Sequence, residues 1–497
     1  MNAAGRGPQR PPAWYTAAWM AALPFVALYL CRRGLRQREY FRHWGERFLG
    51  AGALTPSPLP HAGEERSAAP AQPIGPSQSS LETPPLPPWG ERAGVRGVAR
   101  TPPTFWIHAV SVGETHAAWP LIERLARAHP DARFVLTHMT PTGRAVGAEI
   151  AQRLARAAGS ERGSARLSQR YLPYDLPGPV RNFLCETRPD VGVLMETEIW
   201  PTLLYEAAAA NVPILLANAR LSERSADKAA RFSRLFARAA ANLAAVGAQT
   251  PADRDRIARW FPGPITVTGN LKFDLQPDAA LIARGEPWRA RLGADRPVWL
   301  FASTRDGEEA MLLDALSSRA GKGAGAVQPR CLFVPRHPQR FDDVAALLAQ
   351  RGLRVLRRTQ WDAELAEPAR LDPSAVLLGD SMGEMPMYYA MADAAVIGGS
   401  LAPLGGQNLI EAAACGCPVV FGPHMFNFAQ AAIDAVACGA ARRVADAAEA
   451  LQALEEITRD ATLRDRMRSA ARAFSEAHRG AADRTVAMIE GAYRRAP

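Results

Sequence analysis

The chain has 497 residues, 48% of them hydrophobic, which is enough apolar material for two ordinary cores and argues against a single oversized domain. A formal net charge of +10 favours anionic partners: an acidic membrane surface, phosphorylated substrates or nucleic acid. Lysine occurs only at Lys228, Lys272 and Lys322, so the basic surplus is almost all arginine, a bias that reflects composition rather than nucleic-acid binding. The six cysteines have no histidine at ligand spacing and Cys415-Gly416-Cys417 is too tight for zinc, so they read as reduced thiols.

From Ala13 to Cys31 no residue is charged, and AWYTAAWMAALPFVALYL is close to the roughly 20 residues needed to cross a bilayer. Arg32, Arg33, Arg36 and Arg38 follow at once, whereas only Arg6 and Arg10 precede it, so the positive-inside rule places the rest of the chain on the cytoplasmic side. No small-residue cleavage site precedes the arginines, so residues 1–40 are expected to be an anchor and not a cleaved signal peptide. Trp14, Tyr15 and Trp19 also suit an interface, and both spanning the bilayer and lying in one leaflet fit the composition. From about Leu54 to Pro103 the chain is dense in Pro, Gly and Ser without periodicity, and 41–104 is expected to be a basic juxtamembrane segment followed by a disordered insertion.

From Phe105 onward, short apolar runs (105–110, 133–139, 191–198, 212–219, 244–250, 264–270) alternate with helical stretches (115–129, 142–155, 178–188, 223–243). The pattern restarts at 298–304 and continues through 331–336, 375–380, 394–400 and 418–423. Strands alternating with helices predict an α/β chain with two Rossmann-like, doubly wound parallel sheets: 105–270, a linker over 271–296, and 297–497 with the final helices. Ligands of such sheets bind outside the carboxyl ends of the strands, so two facing domains would place a cleft between two sets of strand-end loops.

The candidate residues sit at those ends. Glu114 follows the first strand where a helix begins, and its bland alternative is a first-turn carboxylate favoured by the helix dipole. Glu196 and Glu198 end another run; strand alternation would put both on one face, with Glu198 the better placed for the cleft. Arg220, Arg224 and Lys272 are further strand-end cations, each with a helix cap or a solvated charge as its alternative. In the second half, Arg336 and His337 leave a strand directly, as phosphate recognition requires. Met382-Gly383-Glu384 is expected to start a helix with exposed amides. A glycine-bounded loop from Gly398 leads into Asn408, Leu409, Ile410 and Glu411, where a carboxylate suits vicinal ribose hydroxyls. Together these read as a sugar-nucleotide site.

The stretches WIHAVSVGE, HMTPTGR, LPYDLPG, METEIWP, NARLSERS, GNLKFD, PRHPQRF, MGEMPMYYAMAD and GGSLAPLGGQNLIEAAACGCPVVFGPHMFNFA, with YFRHWGERFLG after the anchor, resemble the Kdo (3-deoxy-D-manno-octulosonic acid) transferases of the lipopolysaccharide pathway. The likeness runs from about Phe105 to about Ala432. The Pro-rich insertion departs from the family pattern, as does Arg305, which stands where a histidine is typical. The resemblance implies a GT-B glycosyltransferase that moves Kdo from CMP-Kdo to a lipid A precursor (lipid IVA) with inversion, at the inner membrane. It implies Glu114 as general base, Glu198 and Lys272 as transition-state support, and CMP held by Arg336, His337, Met382, Gly383, Glu384, Asn408, Leu409, Ile410 and Glu411. No metal, cofactor or nucleic-acid partner is implied. The alternatives are another GT-B sugar-nucleotide transferase or epimerase, or an anchored nucleotide-binding module without catalysis.

Overall fold

The computed structural model describes residues 7–51, 102–157, 166–230, 233–293, 296–319, 328–361 and 375–495. The expected Pro-rich insertion lies outside the described residues. The chain divides into one unit formed by residues 1–271 with 481–497, and a second formed by 272–480.

In the first unit the described strands are β1 (Thr104–His108), β2 (Arg133–His138), β3 (Leu167–Tyr171), β4 (Val191–Met195), β5 (Ile214–Ala219), β6 (Ala245–Ala248) and β7 (Ile265–Val267). They form a parallel sheet in the order β3-β2-β1-β4-β5-β6-β7. The second unit carries β8 (Val298–Thr304), β9 (Arg330–Pro335), β10 (Val355–Arg357), β11 (Val376–Leu378), β12 (Ala394–Ile397), β13 (Val419–Phe421) and β14 (Ala441–Arg443), in the order β10-β11-β9-β8-β12-β13-β14. Each sheet reverses its winding once, between β1 and β4 in the first unit and between β8 and β12 in the second. These switch points are where open α/β sheets bind ligands.

The near-continuous apolar runs follow from burial on both faces. Along β8, Val298, Leu300 and Ala302 enter the core on one side while Trp299 and Phe301 enter the core on the other. Burying each such large side chain contributes about 1.5–3 kcal/mol. In β1, Trp106 is fully buried and its indole N–H donates to Thr137 Oγ1 at 2.8 Å, which satisfies the one polar atom the ring brings inside.

The strands that the apolar pattern does not reveal are β3, β10 and β14, all at sheet edges. β3 carries Gln169 and Arg170, and buried Arg170 is paired with Glu186 at 2.6 Å, so its sequence does not read as a hydrophobic run. The final helix, Ala481–Arg495, corrects the expectation that all final helices belong to the second domain, because it packs in the first unit. Ala482, Thr485, Val486, Ile489 and Ala492 form its buried stripe. Arg124 pairs with Asp483, and Tyr493 meets the Phe105 ring edge-on.

Candidate functional site

In the first unit the site forms around the switch point. The helix Val112–Ala128 begins earlier than the expected 115, so Gly113 and Glu114 lie in its first turn. Ser111 is the N-cap, and Glu114 reaches back from the third helical position: its Oε2 accepts from Val110 N–H at 2.9 Å and its Oε1 from the Ser111 hydroxyl at 2.9 Å. With Glu114 N–H donating to Ser111 Oγ at 3.4 Å, this is a variant of the capping box in which the return bond comes from Val110 N–H, so the bland alternative is present in the geometry. It does not exhaust the carboxylate, because two oxygens offer about four lone-pair directions. Burial pushes the Glu114 carboxyl up to about 7, with the charge of Glu196 and then of Glu198 adding to the effect against the pull of Val110 and Ser111. A Cβ added at Gly113 would meet nothing within 4 Å.

Strand alternation does not place Glu196 and Glu198, because β4 stops at Met195. Glu196 turns the chain with a left-handed φ of 58°, rare for a residue with a side chain, while its N–H donates to Ala217 O at 2.9 Å. The turn carries the chain to Glu198, whose Oε2 accepts from the Trp200 indole N–H at 2.9 Å. Burial and the Glu196 charge raise the Glu198 carboxyl, and the Trp200 hydrogen bond opposes them. Three carboxylates from the loops after β1 and β4 are thus brought within electrostatic reach of one another. His108 and His138 are fully buried, and desolvation lowers both to about 3, so they are uncharged at neutral pH. Lys272 falls in the second unit, in the turn Leu271–Asp274, with its ammonium 5.2 Å over the Phe428 ring. Arg220 directly follows β5, and the Arg224 side chain lies outside what is described.

In the second unit the loops after β8, β9 and β12 converge. Gly398 permits the close approach: a Cβ there would sit 2.3 Å from the Ser303 carbonyl oxygen. Arg336 donates from Nε to Gln407 Oε1 at 3.2 Å. Burial lowers the affinity of Arg336 for its proton, the Arg305 charge adds to this, and Glu411 opposes it. His337 is likewise lowered by burial and then by Arg305 and Arg336. Glu411 is pushed up to about 7 by burial against the pull of Arg336. Arg336, beside the charge of Arg305, thus lies within electrostatic reach of the weakly acidic Glu411 carboxyl.

The expected CMP residues separate by what they can offer. Asn408 caps the helix Leu409–Ala414, its Oδ1 accepting from Ile410 N–H at 3.2 Å. Leu409 and Ile410 point into the core, so only their main-chain groups are available to a ligand. The helix expected at Met382 begins at Met385, with Glu384 as its N-cap residue. The Glu384 carboxylate is held by Arg358 at 3.1 Å and by Ser381, so its side chain is committed to the protein. Gly383 takes a φ of 79°, and a Cβ there would meet nothing within 4 Å, which leaves that face of the turn open.

Glu308 was not singled out by the sequence. Buried at the start of the helix Glu308–Arg319, its carboxylate accepts from the backbone N–H groups of Arg305 (2.9 Å), Gly399 (2.6 Å), Leu401 (3.0 Å) and Ala402 (3.4 Å). It ties the loop after β8 to the glycine loop after β12. Beside it, Glu309 takes both terminal nitrogens of Arg340 at 2.8 Å and the Thr304 hydroxyl. The only local signal was an acidic pair after Gly307, which is common at any helix start.

Residues 88–275 match the family model described as 3-deoxy-D-manno-octulosonic-acid transferase (kdotransferase), and residues 363–474 match glycosyl transferases group 1. The 3-deoxy-D-manno-octulosonic acid transferase of Bordetella pertussis is 45% identical over 400 residues, covering 80% of this chain and 90% of the relative. The corresponding Haemophilus influenzae protein is 33% identical over 409 residues, with the same shares of the two chains. In fold, the structure of Anabaena HepE in complex with UDP aligns with a TM-score of 0.51 at 15% identity, over 78% of this chain and 99% of its own. On these matches the chain belongs to the 3-deoxy-D-manno-octulosonic acid transferase family, and it is a glycosyltransferase of the GT-B class.

Proposed function

We propose that this protein transfers Kdo from CMP-Kdo to a lipid A precursor, lipid IVA, with inversion at the anomeric carbon, in lipopolysaccharide synthesis. The observation that carries the reading is Glu114: a carboxylate poised near neutral pH at the switch point of the first sheet, beside Glu198. An acceptor hydroxyl attacks the anomeric carbon as Glu114 takes its proton, the bond from that carbon to the CMP phosphate breaks, and CMP leaves with the electron pair. Glu198 stabilises the positive charge that develops on the sugar, and Lys272 the negative charge on the departing phosphate. CMP is held in the second unit, its ribose hydroxyls on Glu411 and its phosphate by Arg336 and His337, with the main chain of Met382, Gly383, Glu384, Asn408, Leu409 and Ile410 completing the site. The test is product mass after incubation with CMP-Kdo and a tetra-acylated lipid A precursor. An acceptor heavier by Kdo units supports the reading, and an unchanged acceptor rejects it.

Glu411→Ala is expected to weaken CMP binding by about 1.5–3 kcal/mol, roughly ten- to a hundredfold, while the rate at saturating donor changes little. A ribose contact is nearly the same in ground and transition states. Titration calorimetry with CMP checks it; an unchanged affinity removes Glu411 from the site.

The membrane attachment proposed with this function is a helix lying along one leaflet, on the cytoplasmic side of the inner membrane. The 24-residue helix Ala13–Arg36 is long and apolar enough, by length and composition, to cross a membrane. Its inward stripe of Trp19, Leu23, Val26 and Leu30 packs on Tyr40, Trp44, Phe48, Met139 and Tyr174 of the first unit. The opposite face exposes Trp14, Met20, Phe25, Leu28, Tyr29 and Leu35. A helix held to its own domain along this length presents that apolar face to a leaflet, and the arginines in its C-terminal turns meet anionic headgroups. Replacing Phe25 and Leu28 together by Glu is expected to move most of the protein from the membrane pellet to the supernatant after a high-salt wash. Retention of the double variant in the pellet rejects this placement.

A further inference from the structure

The N-terminal helix makes contacts that an anchor alone does not require. The Trp200 ring, whose N–H holds Glu198, stacks on the Trp19 ring with centroids 6.3 Å apart and planes inclined by 24°. The His108 ring meets Trp200 edge-on at 6.4 Å. Trp19 donates from its indole to the Tyr15 hydroxyl at 2.9 Å, and Tyr15 donates to Asp175 Oδ2 at 2.8 Å. Buried Asp175 in turn accepts the N–H groups of Thr202 at 2.9 Å and Leu203 at 2.8 Å, in the first turn of the helix Pro201–Ala209. One turn of the membrane helix thus reaches both the ring of Trp200 and the backbone immediately after it.

The backbone carrying Glu198 is irregular. β4 has ended, Glu196 has turned through a left-handed conformation, and residues 197–200 belong to no strand or helix. What aims the Glu198 carboxylate is therefore the indole N–H of Trp200, and what seats that indole is a pair of rings, one of them from the membrane helix. Offset-stacked aromatic pairs favour a defined geometry beyond the area they bury.

We infer that Trp19 is a positioning residue for the transfer reaction, acting through Trp200 on the carboxylate of Glu198, so that the membrane helix is part of the acceptor-side site. The inference rests on the proposed role of Glu198. It implies that seating the helix and setting Glu198 are one event, and that a helix lifted from the domain leaves Glu198 unaimed.

The test uses the full-length protein in detergent, with CMP-Kdo and the lipid acceptor. Trp19→Ala is expected to lower kcat about ten- to a hundredfold, the scale of a misplaced reacting group, with CMP affinity unchanged. Trp19→Phe keeps a ring against Trp200 and is expected to restore most of the rate. Glu198→Gln supplies the reference, and the Trp19→Ala, Glu198→Gln double variant is expected to be no slower than Glu198→Gln alone, because the first substitution acts only through the second residue. A purely structural role for Trp19 predicts instead a lowered Tm and a loss that multiplies with that of Glu198→Gln. Wild-type kcat in Trp19→Ala, or multiplying losses in the double variant, overturns the inference while leaving the role of Glu198 standing. Wild-type turnover in Glu198→Gln overturns the role of Glu198 itself and, with it, the inference.

Discussion

Glu114→Gln is expected to slow transfer by roughly a hundredfold or more at saturating donor and acceptor. The amide keeps the shape of the carboxylate and can still accept the Val110 N–H, so the capping box survives in part, but it cannot take the acceptor proton. Glu114→Asp is expected to lose less, because a base remains but sits one methylene short of its place. Stability moves the other way. The folded carboxyl, raised to about 7 by burial and by Glu196, holds its proton more tightly than the unfolded one does. As pH rises from the ordinary carboxylate range through 7, the folded state must therefore lose a proton that the unfolded state has already shed, and stability falls across that window. At pH 8 the Gln variant is thus expected to melt no lower than wild type while being far slower. The wild-type rate should rise with pH up to about 7 and then level, since only the ionised base works. If Glu114 serves only as the helix cap, Gln turns over normally and the pH profile carries no step at that position; initial rates between pH 5.5 and 8.5 distinguish the two.

Glu308→Ala is expected to be the most damaging change in the second unit. It removes the acceptor of four backbone N–H groups, each costing about 1–3 kcal/mol when left unpaired inside the protein. Partial relaxation limits the total to about 3–5 kcal/mol, at the upper end for single substitutions. For a unit of this size that lowers Tm by roughly 10 °C. CMP affinity is expected to fall at least tenfold even where the fold persists, because the loop after β8 and the glycine loop after β12 lose their common tie. Glu308→Gln should rescue little: its carbonyl oxygen can serve one pair of N–H groups, but its NH2 then faces the other pair donor to donor. Scanning calorimetry beside CMP titration measures both effects, and an Ala variant with wild-type melting and CMP affinity would show that the two loops hold their places without this carboxylate.

Much of the fold was legible because doubly buried parallel strands are apolar on both faces and leave continuous runs, as in VWLFAST for β8. The edge strands β3, β10 and β14 escaped notice because they carry charged residues whose partners lie elsewhere in the chain, buried Arg170 on Glu186 and Arg357 on Asp342 and Asp380, so no apolar run marks them. Candidates for the site could be named where a charged residue follows a strand end, at Glu114, Glu198, Arg336 and His337. Local rules failed where they were applied past their range. Period-two alternation cannot describe Glu196 and Glu198 once β4 has stopped, and Leu409 and Ile410 share a motif with Glu411 while packing into the core.

The sequence by itself determined the element types, the two-sheet architecture, the apolar N-terminal segment and the family, because each is written in local period, composition or long matching stretches. Tertiary structure alone decided which of those residues act on one another. The proton affinity of Glu114 is set by burial and by the charge of Glu196, far along the chain, and no local pattern encodes that distance. The reach of Glu308 to Gly399 and Leu401 depends on β8 and β12 being neighbours at the switch point. The face that the helix Ala13–Arg36 turns toward Trp200 is equally hidden, because an apolar segment reads the same whether a ring on it meets lipid or another ring. The stacking of Trp19 on Trp200 and the Trp200 hydrogen bond to Glu198 exist only once the chain has folded, since distances between side chains from separate elements are fixed by packing and not by spacing in the sequence.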